Sequence, residues 1–175
     1  MTIVQFSNVL AQNFQKSSIV PLIKEYIKVV EENDKSWRFN LSGKKDKKSM
    51  LKEWIILELF ILGQEILEYF KGAQIGNDIV ASLNYFCADN FIKYNIFSIN
   101  DKFEELLSSR YTYYLKALKD SEPNDIFLLS KNILNQLCGE KSNIVYATAI
   151  AKYYFDTSSM YRKLIIGLMK EINLI

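Results

Sequence analysis

Histidine is absent from all 175 residues. Without it the chain has no Ser-His-Asp or Cys-His nucleophile system, no H-E-x-x-H metal site and no Glu-x-x-His pair of the di-iron bundles. It also lacks the commonest general base. Cysteine occurs only at Cys87 and Cys138, outside any C-x-x-C spacing. A four-thiolate zinc site is therefore excluded, and two reduced, buried thiols are expected. Two prolines and six glycines leave few breaks, which favours long helices. Charge of one sign is not in excess: 22 basic and 20 acidic side chains give a net +2. That balance lacks the concentrated positive field that nucleic-acid binding needs.

A long charge-free apolar run is also missing. Even the most apolar stretch, residues 51–70, contains five charged side chains, too many for a membrane span. Residues 1–14 lack the basic start and unbroken apolar core of a signal peptide, so a cytoplasmic protein without membrane contact is expected. Neither a G-x-G-x-x-G motif nor a phosphate loop occurs; Ser42-Gly43-Lys44-Lys45 lacks the spaced glycines. No cofactor or metal is expected, and no catalytic residues stand out. Lysine outnumbers arginine 19 to 3, and asparagine and isoleucine abound, as in the AT-rich coding of a low-GC microbe, virus or mobile element.

What the chain does have is apolar mass: 49% hydrophobic and 14% aromatic residues, enough for a substantial core. Helical spacing of apolar residues predicts segments at 2–15 and 18–32, interrupted at Ser17-Ser18, with Pro21 in the second helix's first turn. Residues 33–49 read as a loop with a short ordered piece near Trp37 and Phe39. Further helices follow at 51–70, 77–95, 101–119 (capped by Asn100), from 123 to Cys138-Gly139, and 142–171 (capped by Ser142). Asp156-Thr157-Ser158-Ser159 suggests a kink or break in the last one. The expected fold is all-α: one helical domain spanning 1–175, a bundle of six or seven helices around a largely buried helix at about 51–70.

Projected at about 100° per residue, the 51–70 helix has Ile55, Leu59, Leu62, Ile66 and Tyr69 on one broad arc. Opposite them run Trp54, Glu58, Ile61 and Glu65. Either this is an ordinary polar rim, or Trp54 and Ile61 mark a second contact surface. Arg110 projects from the centre of an apolar arc on 101–119 and needs a carboxylate mate; Glu58 and Glu65 are candidates, with Glu104 the local one. It is either a structural bridge or an anion anchor, since a guanidinium forks onto carboxylates. Tyr114 and Tyr153, on the two tyrosine-rich helices, join Arg110, Glu58, Glu65 and Trp54 as candidate binding residues. Lys44, Lys45, Lys47 and Lys48 read as a solvated loop.

The expectation is a non-enzymatic protein-interaction or regulatory protein, self-associating through part of 51–70 or the tyrosine-rich helices. The alternative is a small-molecule-binding bundle with an internal pocket lined by Arg110 and tyrosines. A carboxylate-dependent enzyme would require three acidic side chains to converge in one cleft.

Overall fold

The computed structural model describes residues 1–41, 45–93, 95–98, 102–120, 126–139 and 144–171. The protein is an all-α bundle built from α1 (Ile3–Phe14), α2 (Val20–Glu31), α3 (Lys47–Tyr69), α4 (Gln74–Lys93), α5 (Phe103–Asp120), α6 (Ile126–Cys138) and α7 (Ile144–Glu171). No strand occurs among the described residues.

Thr2 starts α1 with a capping box: its hydroxyl accepts from the Gln5 N–H and the Gln5 carboxamide accepts from the Thr2 N–H. The break expected at Ser17-Ser18 does not occur. Instead a single π-helical turn, Gln15–Ile19, joins α1 to α2, and the Val20 N–H reaches back to the Gln15 carbonyl. A proline ring clashes with the carbonyl four residues earlier in a regular α-helix. The wider turn just before Pro21 relieves that clash and keeps the rod continuous. It also turns Ser18 inward, where it is buried rather than capping a helix.

Helix α3 begins upstream of the expected position 51, because Asp46 caps it. One carboxylate oxygen of Asp46 accepts from the N–H groups of Lys48 and Ser49, both at 3.0 Å. The helix touches α2, α4, α5, α6 and α7, and every residue from position 53 to 63 is buried. A helix covered on all sides has no solvent face for its polar side chains. Its glutamates must therefore find partners inside.

One contiguous apolar cluster takes residues from every helix, among them Phe6, Leu22, Phe60, Leu83, Tyr114, Leu129 and Tyr161. Cys87 and Cys138 lie within it as free thiols, as expected. Gly139, at φ +82°, ends α6 in the left-handed conformation that favours glycine. Helix α7 runs without a break through Asp156-Thr157-Ser158-Ser159. Thr157 is buried there, the Ser158 hydroxyl donates to Glu65, and Lys152 pairs with Asp156 one turn on. Tertiary contacts outweigh the poor helix propensity of these residues. The caps expected at Asn100 and Ser142 and the break at Ser121-Glu122-Pro123 lie outside the described residues. Among the described residues, no helix is long and apolar enough to cross a membrane.

Candidate functional site

The unusual chemistry of this fold is the row of three buried carboxylates on α3: Glu53, Glu58 and Glu65, each 5–6% exposed. At about 1.5 Å of rise per residue they sit roughly 7 and 10 Å apart along the axis. An unpaired buried carboxylate is very costly, and each of the three is answered differently.

Glu53 receives a two-pronged contact from Arg110 on α5, whose Nε and Nη2 donate at 2.9 and 2.7 Å. Lys45 adds an ammonium at 3.1 Å and also donates to the Gln136 carbonyl in the last turn of α6. The bond to Glu53 raises the Arg110 pKa above its ordinary value, against the opposing effect of partial burial. The mate of Arg110 is thus Glu53, not Glu58, Glu65 or Glu104. Glu53 lies on the flank of α3 facing α5, whereas Glu58 and Glu65 point towards α7. Lys45 and Lys47 likewise depart from the solvated-loop expectation: Lys47 donates to the Phe39 carbonyl. Lys44 lies outside the described residues.

Glu65 takes a bond from the Ser158 hydroxyl and a 2.8 Å bond from Arg162 Nε, while Arg162 Nη2 reaches Glu68 at 2.8 Å. Glu58 has no cation bonded to it among the described residues. The hydroxyls of Tyr153 and Tyr161, both on α7, donate to its two oxygens. Ser18, presented by the π turn, stands 2.6 Å from the Tyr161 oxygen. Tyr161 has one proton and gives it to the carboxylate, so Ser18 is the donor in that contact. Burial pushes the Glu58 pKa up to about 7, although the Tyr161 bond and the positive charge of Arg38 pull it down. The Tyr161 pKa rises well above its usual value, first through burial and then through the Glu58 charge.

Arg38 closes this end of the bundle. It pairs with Glu25 at 2.7 Å, and its guanidinium carbon lies 4.8 Å from the centre of the Tyr153 ring. The rings of Trp37 and Trp54 are also within cation–π reach, at 5.8 and 5.7 Å. Trp54 is fully buried and donates its indole N–H to the Arg38 carbonyl at 3.3 Å. Ile61 is equally buried. The second contact surface expected on 51–70 is therefore filled by this chain's own loop and helices. Tyr114 is fully buried against Phe60, its hydroxyl without a hydrogen-bond partner among the described residues. Asn90 bonds back to the Phe86 carbonyl of its own helix and takes no part.

The structure thus brings Glu58 and Tyr153 together beside Trp54, and places Arg110, Tyr114 and Glu65 apart from them. The three acids face different neighbours, and among the described residues no three acidic, cysteine or histidine side chains gather closely enough to hold a metal ion. The Arg110 guanidinium is engaged by Glu53. Sequence reasoning missed Glu53, Arg38, Arg162, Trp37 and Ser18. One signal was available: all three arginines, in a chain rich in lysine, pair with glutamate, where a planar fork does what an ammonium does not.

Fold and site together define an all-α bundle organised around one buried, carboxylate-bearing helix. No protein-family model, no curated protein and no solved structure matches this chain.

Proposed function

We propose that the protein is a non-enzymatic interaction module of regulatory type that self-associates through the outer face of α2. The observation that carries this reading is an apolar stripe on that helix. Val20, Ile23, Ile27 and Val30 follow the 3-4-3 spacing of a helix–helix seam. Val20, Ile27 and Val30 are 38%, 39% and 51% exposed, while Leu22 and Val29 on the opposite side are buried in the core. Single exposed apolar residues need no explanation, but a continuous stripe does. A groove of about 240 Å³ adjoins it, lined by Ile19, Val20, Ile23 and Phe91. The buried Gln15 Nε2 beside it has no hydrogen-bond partner among the described residues.

Charge selects the occupant and its direction. Exposed Lys24 and Lys28 flank the stripe, and exposed Glu31 and Glu32 follow its end. A second copy packed antiparallel about a two-fold axis sets lysines of one chain beside the acidic end of the other. Parallel packing stacks like charges. Isologous pairing of this kind is the commonest oligomer of soluble proteins. The three buried glutamates, each engaged within the fold, support an interaction role over a carboxylate enzyme. This reading keeps the protein in the cytoplasm, where its two thiols stay reduced.

Sedimentation of the whole chain at tens of micromolar tests it. A dimer is expected, converted to a helical monomer by Ile27→Glu with Val30→Glu, both at exposed positions. Lys24→Glu should weaken the dimer, and the added reversal Glu31→Lys should restore it. A monomeric wild-type chain, or a dimer indifferent to these changes, would overturn the reading.

A further inference from the structure

Arg38 stands between two carboxylates, on the segment 33–41 that links α2 to α3. Its backbone is fixed. Phe39 and Leu41 are buried in the core, Lys47 donates to the Phe39 carbonyl, and the Trp54 indole donates to the Arg38 carbonyl. Its side chain is secured on one side only. Nη1 binds the half-buried Glu25 of α2 at 2.7 Å, whereas Nε is buried and has no hydrogen-bond partner among the described residues. Buried donors without an acceptor are uncommon in folded proteins. Glu58 is the complementary case, a buried carboxylate held by two hydroxyls and lying within the field of Arg38. The Tyr153 ring joins the two. The guanidinium carbon lies 4.8 Å from its centre, and its hydroxyl donates to Glu58.

We propose that Arg38 is a proton-operated latch: with Glu58 protonated it holds Glu25, and when Glu58 ionises it slides along the Tyr153 ring to donate from Nε to Glu58, releasing Glu25. An ionised buried carboxylate gains far more from a guanidinium than does a half-exposed one already screened by water. The cation–π contact accompanies the movement, and the anchored backbone confines it to the side chain. The other groups around Glu58 do not compete. Ser18 of the π turn is not ionisable. Tyr161 of α7 is kept well above its usual pKa first by burial, and burial pushes Cys87 of α4, behind Tyr161, up to about 12. Arg110 and Lys45 are engaged by Glu53, and Arg162 by Glu65 and Glu68. Release leaves Glu25 with the Ser36 hydroxyl alone, so a proton lost in the core appears as a bare negative charge on α2. The latch operates whether or not α2 self-associates.

Carbon-detected nitrogen-15 spectra of the arginine side chains in the full chain test this, because Arg38, Arg110 and Arg162 are its only arginines. Between pH 5 and 8.5 the Arg38 Nε resonance is expected to shift as it gains a carboxylate acceptor, with a midpoint near the Glu58 value of about 7. Those of Arg110 and Arg162, already bonded to Glu53 and Glu65, should stay in place. Glu58→Gln should abolish the Arg38 shift. Glu25→Gln, at a half-buried position, removes the competing carboxylate and should lower the midpoint by about one pH unit, the effect of a freed neighbouring cation. An Arg38 resonance that stays still, a shift that survives Glu58→Gln, or a midpoint unchanged in Glu25→Gln would overturn the proposal.

Discussion

Replacing Glu58 by glutamine should change how stability depends on pH more than it changes stability itself. In the folded protein the carboxyl's pKa stands at about 7 against an ordinary 4.5, chiefly because it is buried. Each pH unit of difference is worth about 1.4 kcal/mol, so the folded state holds this proton more tightly than the unfolded chain by about 3 kcal/mol. The sign follows from proton counting. Below pH 4.5 both states carry the proton and the contribution is complete. Between 4.5 and 7 the folded carboxyl is protonated while the unfolded one is ionised, so unfolding releases a proton and stability falls as pH rises. Above 7 both are ionised and the slope ends. Glutamine copies the shape and neutrality of the protonated acid and cannot titrate. Its carbonyl accepts from one tyrosine and its amide donates to the other. Urea unfolding of wild type and Glu58→Gln at pH 4.5, 6, 7 and 8, read by far-UV circular dichroism, isolates this residue because other titrations cancel. The wild-type value minus the variant's should fall by about 3 kcal/mol across the series. A difference constant to within about 0.5 kcal/mol, the usual error of additivity, would show that burial does not control Glu58. A difference rising with pH would show that the tyrosine donors and Arg38 hold it ionised.

Two further variants test opposite sides of the buried polar chemistry. Tyr114→Phe removes a hydroxyl that has no partner and leaves the ring against Phe60, so chemical denaturation should show unchanged or raised stability, by up to about 1 kcal/mol. A loss larger than that would mean the hydroxyl is satisfied in solution. Arg110→Met, Glu53→Gln and the double variant form a cycle for the α3–α5 bridge. Their coupling should be about 1–2 kcal/mol, held below fully buried pairs because Arg110 still meets solvent. A coupling near zero would make the bridge energetically idle.

The fold was legible because one physical signal dominates the chain. Apolar residues recur at helical spacing with almost no proline or glycine to interrupt them, and the stretch at 51–70 is apolar nearly all round. Both features survive as the bundle and its central α3. The details that escaped are those where a neighbour distant in sequence outweighs a local preference. Ser17-Ser18 reads as a break, yet a π turn carries the helix past Pro21 and Tyr161 receives Ser18. The stretch 156–159 reads as a kink or break, yet Glu65 and Lys152 engage it and the helix is continuous. The polar site was half legible. A projection sets Glu58 and Glu65 beside Trp54 and Ile61, on either a polar rim or a second contact surface, and shows that Arg110 needs a carboxylate. It does not show which helix stands opposite each, so Glu53 was missed as the mate of Arg110.

The all-round burial of α3 has a consequence for synthesis. Tyr69, its last residue, is made about 100 residues before Glu171, the end of α7. At bacterial and eukaryotic elongation rates of about 5–20 residues per second, α3 waits roughly 5–20 s for α7. Throughout that interval the flank bearing Glu58 and Glu65 has none of its α7 hydroxyls or guanidinium, and the apolar surface beside it is bare. Helix α7 therefore completes the covering of α3, and the central helix is the segment most in need of protection until it arrives.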